Sequence, residues 1–397
     1  MMMDVAKICR DMNPEIVSWR RELHRIPEVG NDLPQTAAYV KDKLEAWGIA
    51  YQTFESNSGI AALIGKREGK VVGLRADMDA LPVAERTGLE FASGNGNMHA
   101  CGHDAHTALL LGCAKFFKAH EDELNGRVKL IFQPGEEGTG GARIMAADGV
   151  LENPHVDAII ALHVGTFHKD LTSGDIAIGH GSVFASSYDE VILTVHGKGS
   201  HGAEPDQSVD PINIAQSILG VCQSVISRQF PPYRAGVFSI TNINGGSGAF
   251  NIIGDTVRMT GTIRAQRNED RDFIYNSVKE ISSALAEAMG GTCEMEFNEP
   301  VNPVINDRAV TDAVMAAARK VTPPEFLKQT DRTLMIGEDA AEFWDRVPGT
   351  YFFLGTKVEG AAPEANMHHN PHFLLDETYL HHGAAVMIQS ALDLLGT

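Results

Sequence analysis

Arg127-Val-Lys-Leu-Ile-Phe-Gln-Pro-Gly-Glu-Glu-Gly138 is the stretch on which the fold reading turns. From Arg127 to Phe132 it has the apolar, partly β-branched character of a buried strand. The run stops at Pro134-Gly135, which cannot continue a hydrogen-bonded ladder. Directly behind it stand two adjacent carboxylates, Glu136 and Glu137, in a turn flanked by glycines. Open α/β sheets gather their ligand-binding groups just beyond the carboxyl ends of their strands.

Outward from this strand, Gly59-Ile-Ala-Ala-Leu-Ile64, Val71-Val-Gly-Leu74 and Ala158-Ile-Ile-Ala-Leu-His163 read as further buried strands. Between and before them, helical spacing of apolar residues predicts helices over Pro14–His24 (Ile16, Val17, Trp19, Leu23), Thr36–Trp47 and Thr107–Ala119. Strands alternating with helices predict an α/β layer around a largely parallel sheet.

The pattern changes near Ser187. Asp189 to His196 alternates like a half-buried strand, and a helix-like run from Asp210 to Arg228 follows. Strands around Val237–Asn242 and Thr256–Ile263, a helix over Asp270–Met289 and a strand over Thr292–Phe297 complete a βαββαβ order. After Pro300 the α/β character returns, with helices near Val310–Arg319 and Asp339–Trp344 and the strand Tyr351–Leu354. The expected organisation is a discontinuous catalytic domain, residues 1–186 and 300–397, with a smaller α+β domain inserted at residues 187–299.

Length and charge bound the function. A chain of 397 residues is long for one core, so two domains are expected. Its formal charge of −19 repels phosphate backbones and anionic membranes, which argues against a nucleic-acid or membrane partner. The first residues lack a basic start followed by an apolar run, and no stretch reaches the ~20 apolar residues that span a bilayer. Five scattered cysteines form no disulfide framework. A cytoplasmic protein is expected.

Chemistry concentrates in a few short segments. Met98-His-Ala-Cys-Gly-His-Asp-Ala-His106 sets Cys101 and His103 two apart, with Gly102 free to bend the backbone so that both face one ion. A Cys-x-His pair is equally the mark of a buried thiol beside a loop histidine. Glu136 and Glu137 diverge as neighbours must, so one can hold a metal while the other reaches an attacking water. His163 ends an apolar strand, and His369 precedes Asn370-Pro371. Each alone also reads as a core or surface histidine. Together Cys101, His103, Glu137, His163 and His369 offer sulfur, nitrogen and oxygen donors suited to a dinuclear site, in which a thiolate can bridge two divalent ions.

These motifs, in this order, resemble the peptidase M20 family, in particular its hippurate hydrolases, indole-acetyl-amino-acid hydrolases and N-acyl-L-amino-acid amidohydrolases. Arg21-Glu-Leu-His24, Pro27-Glu28 and Leu74-Arg-Ala-Asp-Met-Asp-Ala-Leu-Pro82 match, as do the segments around Cys101 and Glu136. Gly197-Lys-Gly-Ser-His201, Gly337-Glu-Asp339 and His369-Asn-Pro371 extend the match nearly end to end. The resemblance implies a zinc-peptidase-like catalytic domain, with the inserted domain as a lid and a dimerisation surface for a homodimer or homotetramer.

It also implies roles. Cys101, His103, Glu137, His163 and His369 become metal ligands, with Cys101 bridging. The ions are Mn2+ or Zn2+, with Co2+ and Ni2+ as alternatives. Glu136 becomes the general acid and base, taking a proton from the attacking water and passing it to the departing amine. Asp79 takes the place of an aspartate behind the ligands. Asp77 stands where the wider family has a ligand histidine, so His103 is the substitute. In the lid, His201 stabilises the tetrahedral oxyanion, and Asn251 and Arg264 hold a substrate carboxylate. The implied reaction is hydrolysis of an N-acyl-L-amino acid to a carboxylate and a free amino acid. A dipeptidase or carboxypeptidase, an N-acetyl-diaminopimelate deacetylase and a non-catalytic binder are the competing readings. No Gly-x-Ser-x-Gly elbow is present for a serine mechanism. The chain departs from the family in the lid, at His201-Gly-Ala-Glu-Pro-Asp206 and at Asn251-Ile-Ile-Gly254, where relatives often read His-Ala-Ala-x-Pro-His and Asn-x-Ile-Pro. Those departures bear on substrate preference.

Overall fold

Four of the apolar runs become neighbours in one sheet. The computed structural model describes residues 3–167, 170–179, 183–330 and 334–397. Its larger sheet contains β1 (Tyr51–Thr53), β2 (Ile60–Ile64), β3 (Val71–Asp77), β4 (Arg127–Gln133), β5 (Ala158–Gly165), β6 (Ile176–Ile178), β7 (Leu327–Gln329) and β8 (Gly349–Gly355). The order across the sheet is β1-β2-β4-β3-β5-β8-β6-β7. Strands β4, β3, β5 and β8 run parallel, so their carboxyl ends share one edge. β1, β2 and β6 pair antiparallel to their inner neighbours, and β7 runs parallel to β6. Strand β3 pairs with β4 as far as Asp77↔Gln133, but its ladder with β5 stops at Arg75↔Ala161. β3 and β5 therefore part where they approach their carboxyl ends.

Helices α1 (Val5–His24), α2 (Pro34–Ala46), α3 (His103–Ala119) and α4 (Gly141–Ala147) belong to the same unit, as do the helices Arg308–Val321 and Leu380–Leu395. α1 starts well before the expected Pro14. Asp4 caps it by accepting the Lys7 N–H at 3.0 Å, and Val5, Cys9, Met12 and Ile16 bury one continuous stripe. Proline reads as a helix start because its missing N–H costs nothing in a first turn; here the apolar stripe carries the helix through it. α3 also begins earlier than expected, at His103. Gly102 makes this possible with φ of 89°, and a Cβ there would lie 2.5 Å from Cγ2 of Val164.

The chain divides into two compact units, one of Met1–Phe184, Ile305–Arg332 and Asp339–Thr397, the other of Ala185–Val304 and Thr333–Glu338. The second unit holds a four-stranded antiparallel sheet, with Gly236–Gly245 at one edge, then Thr256–Ala265, Tyr188–His196 and Thr292–Val301. Val191, Leu193 and Val195 alternate into its core, facing Ile218 of helix Pro211–Ser224 and Ile274 and Val278 of helix Asn268–Ala288. Among the described residues no helix is long and apolar enough to cross a membrane.

Candidate metal centre

At the carboxyl edge of the larger sheet, the turns after β3 and β4 converge with the start of α3 and the end of β5. Asp79 is fully buried and ties two of these segments together. Its backbone oxygen and Oδ1 accept from Nδ1 of His103 at 3.0 and 3.3 Å, while its Oδ2 accepts the backbone N–H of Glu137 at 2.9 Å. His103 Nδ1 is thereby committed as a donor, and Nε2 is turned inward. That Nε2 is buried and has no hydrogen-bond partner. It lies 3.9 Å from Oε1 of Glu137 and 4.0 Å from Oε2 of Glu136.

The turn carrying the two glutamates depends on Gly135. Its φ is 69°, and a Cβ there would meet Oδ1 of Asn31 at 2.1 Å. His163 at the end of β5 donates from Nδ1 to the Val164 carbonyl at 2.7 Å. Its Nε2 then faces Sγ of Cys101 at 3.6 Å. His369, held in the left-handed region at φ 60°, places Nε2 3.2 Å from Oε1 of Glu137.

Of the candidate ligand groups among the described residues, two share Cys101, one with His103 and His163 and one with Glu137 and His369; within each, the donor atoms lie within 4.8 Å of one another, and Asp77, His103 and His106 form a further group. The donor common to the first two is the thiol. Another group joins His103 to Glu136 and Glu137. Such separations suit donors that close on one ion at about 2.0–2.3 Å. The orphaned His103 Nε2 and the mixture of sulfur, imidazole and carboxylate fit divalent metals. The structure thus brings together Cys101, His103, Glu136, Glu137, His163, His369 and Asp79.

Electrostatics agree with this fit. Burial opposes charge on His103, yet the carboxylates of Asp77, Asp79 and Glu137 push its imidazole up to about 10. Burial and the charges of Glu137 and Glu136 push the Cys101 thiol well up. Burial raises Glu137, but the hydrogen bond from His369 and the charge of His103 outweigh it and hold its carboxyl below the usual range. His103 and Cys101 are thus pushed towards their protonated forms, while burial holds the His163 imidazole well below its usual range.

Beneath the turns lies a buried lattice whose members stand in the matched motifs but were given no contacts there. Arg75 donates to Oε1 of Gln133 at 2.8 Å, to Oδ2 of Asp77 at 2.9 Å and to Oδ1 of Asp339 at 3.2 Å. Asp339 also accepts from Gln133 at 2.7 Å and from the Ala142 N–H, at the start of α4, at 2.9 Å. His106 and His368 are further residues missed. His368 Nδ1 lies 3.7 Å from Cys101 Sγ, and its ring stacks on Phe167 at 3.9 Å. The doubled His368-His369 and the three-residue step from His103 to His106 on one helix face were the available signals.

In the second unit two of the three expected substrate contacts, His201 and Asn251, lie together and Arg264 lies elsewhere. His201 is exposed and pairs across a short ladder with Ile252, next to Asn251. The backbone oxygen of Asn251 accepts the Gly202 N–H at 2.8 Å, so Asn251 and His201 share a corner. Arg264 lies at the far end of the strand Thr256–Ala265, its guanidinium 5.3 Å from the ring centre of Tyr188. Eight residues of strand separate Thr256 from Arg264, about 27 Å at about 3.4 Å per residue.

The model of peptidase family M20/M25/M40 matches residues 73–393. The chain belongs to that family. It is 33% identical to the N-acetyl-L-cysteine deacetylase of Bacillus subtilis, over 99% of this chain and 93% of that protein. It is 37% identical to thermostable carboxypeptidase 1 of Saccharolobus solfataricus, over 94% of each. Among solved structures, a dinuclear metal-binding M20 peptidase from Bacillus subtilis superposes with a TM-score of 0.82 at 30% identity, covering 98% of this chain and 99% of that one. With its family and its cluster of candidate ligands, this M20 protein is a metallo-amidohydrolase with a largely parallel catalytic sheet.

Proposed function

We propose that this M20 enzyme hydrolyses the amide bond of N-acyl-L-amino acids, with Cys101, His103, Glu137, His163 and His369 holding two divalent ions. The observation that carries the reading is the pair of ligand groups sharing Cys101, with Glu136 beside His103. Divalent ions held there would supply Lewis acidity to an amide carbonyl and to water. Glu136 takes the proton of the attacking water and returns it to the departing amine nitrogen. Glu137, fixed by Asp79 through its backbone, stays a ligand. Thiolate, imidazole and carboxylate together suit Mn2+ or Zn2+, and Co2+ or Ni2+ as replacements.

The relative that deacetylates N-acetyl-L-cysteine supports an acylated amino acid as substrate. A second reading, carboxypeptidase action with the same chemistry, has the relative from Saccharolobus solfataricus in its favour. The second unit serves in this account as a lid and as the dimerisation surface of a homodimer or homotetramer. Among the described residues its edge strand Gly236–Gly245 pairs with a strand on one side only, and Ile243 on that strand is exposed. His201 and Asn251 form one substrate-contact corner and Arg264 another. The deciding experiment reconstitutes the protein with Mn2+ or Zn2+ and measures free amino acid released from a panel of N-acetyl and N-benzoyl amino acids beside dipeptides. Release from acyl-amino acids and not from dipeptides supports the first reading. The reverse supports the second, and release from neither overturns both.

A further inference from the structure

We propose that His106, which belongs to neither ligand group that shares Cys101, is a positioning residue for His163. The inference rests on reading His163 as a metal ligand. His106 occupies the gap where β3 and β5 part. Beyond Arg75↔Ala161 the two strands no longer exchange ladder bonds, so the Val164 N–H has no partner on β3. Nε2 of His106 accepts that N–H at 2.9 Å. A backbone N–H can only donate, so Nε2 carries a lone pair and the ring proton sits on Nδ1. Nδ1 then donates to Oδ1 of Asp77 at 2.5 Å. Asp77 is in turn fixed by Arg75, and its backbone oxygen accepts from the Thr107 hydroxyl at 2.9 Å.

The relay passes from Asp77 through His106 to the Val164 N–H. The other end of Val164, its carbonyl, accepts from Nδ1 of His163. One residue is therefore held at its N–H by His106 and itself holds the ligand ring at its carbonyl. This arrangement selects the His163 tautomer with a bare Nε2 and aims that nitrogen at Cys101. The His106 ring also packs edge-on against His163, centres 4.6 Å apart. Sequence could suggest His106 as a ligand by its spacing from His103; the structure gives its two nitrogens other duties.

His163 belongs to only one of the two groups sharing Cys101. Disturbing His106 should therefore weaken one ion and spare the other, which a general loss of stability would not do. The test titrates the full-length, metal-free protein with Co2+ and reads stepwise affinity by calorimetry and the visible spectrum of bound cobalt. His106→Phe keeps the ring but deletes both hydrogen bonds. It is expected to bind one Co2+ about 10–100-fold more weakly, the usual effect of removing a partner behind a ligand. The second affinity stays within about threefold of wild type, and the spectrum of the weakened site changes. His106→Gln, whose amide carries a donor and an acceptor, recovers most of the loss. Wild-type affinities and spectrum in His106→Phe overturn the proposal. So does equal weakening of both ions that follows a lowered melting temperature of the metal-free protein. If His106→Phe does not fold, His106→Asn carries the same expectation, because its shorter amide cannot span from Asp77 to the Val164 N–H; unchanged affinities there overturn it. Wild-type protein that binds fewer than two Co2+ rejects the dinuclear reading itself and takes this inference with it.

Discussion

Asp79 accepts the backbone N–H of Glu137 at 2.9 Å while the same carboxylate faces Nδ1 of His103. One buried side chain thus orients a candidate ligand from the turn after β4 and another from the start of α3. Asp79→Asn offers one acceptor oxygen and one N–H2 to two donors, so one contact becomes repulsive. We predict divalent-metal affinity about 10–100-fold weaker, measured by competition with a chromophoric chelator. Unchanged affinity would show that Asp79 does not hold the ligands.

Metal loading should release protons. Without metal His103 sits at about 10, and the Cys101 thiol is pushed well up, so both are protonated near pH 7. An imidazole nitrogen and a thiol must each shed a proton to donate to an ion. Calorimetry in two buffers of different ionisation enthalpy should give about two protons released per chain, and apparent affinity should fall as pH falls. Binding with no net proton release contradicts these assignments.

Gly102 allows α3 to start at His103. A side chain there meets an unfavourable φ of 89° and a Val164 methyl 2.5 Å away. Gly102→Ala should cost about 1–3 kcal/mol of stability in denaturant unfolding of the metal-free protein. It should also reduce metal content, because His103 moves with the helix start. Wild-type stability would mean the backbone relaxes freely at this point.

Much of this was legible in the sequence, for a physical reason. Strands buried on both faces are contiguous apolar runs, and Cys101, His103, Glu136, Glu137, His163 and His369 sit in short segments at their ends, so these candidates could be picked out locally, while the roles proposed for them came from the resemblance. The role of His106 could not. It depends on β3 and β5 parting after Arg75↔Ala161, a relationship between strands far apart in the chain. The arrangement of Asn251 and Arg264 was hidden for the opposite reason. They are close in sequence, but the strand between them is extended and carries them to opposite ends. The start of α1 was missed because Pro14 imitates a first turn.

That separation makes a further prediction. We predict that Asn251 and Arg264 serve one substrate carboxylate from two copies of the chain. If both corners serve one site, Arg264→Ala and His201→Ala proteins, each impaired, should regain activity when unfolded together and refolded as a mixture. If only Arg264 meets the carboxylate, no recovery occurs. Its loss then lowers kcat/KM by about 10–100-fold, and converting the carboxylate to an amide adds little further loss.

The central claim is that Glu136 moves the proton while its neighbours hold the metal. Glu136→Gln retains the shape of the side chain and removes only its basicity. The direct measurement is turnover of an N-acyl-amino acid by this variant, alongside elemental analysis of the same preparation. We predict two ions per chain, as in wild type, and a kcat lower by about 10²–10⁴-fold, the usual span of general acid–base catalysis. Two ions per chain with near-normal turnover would contradict the account.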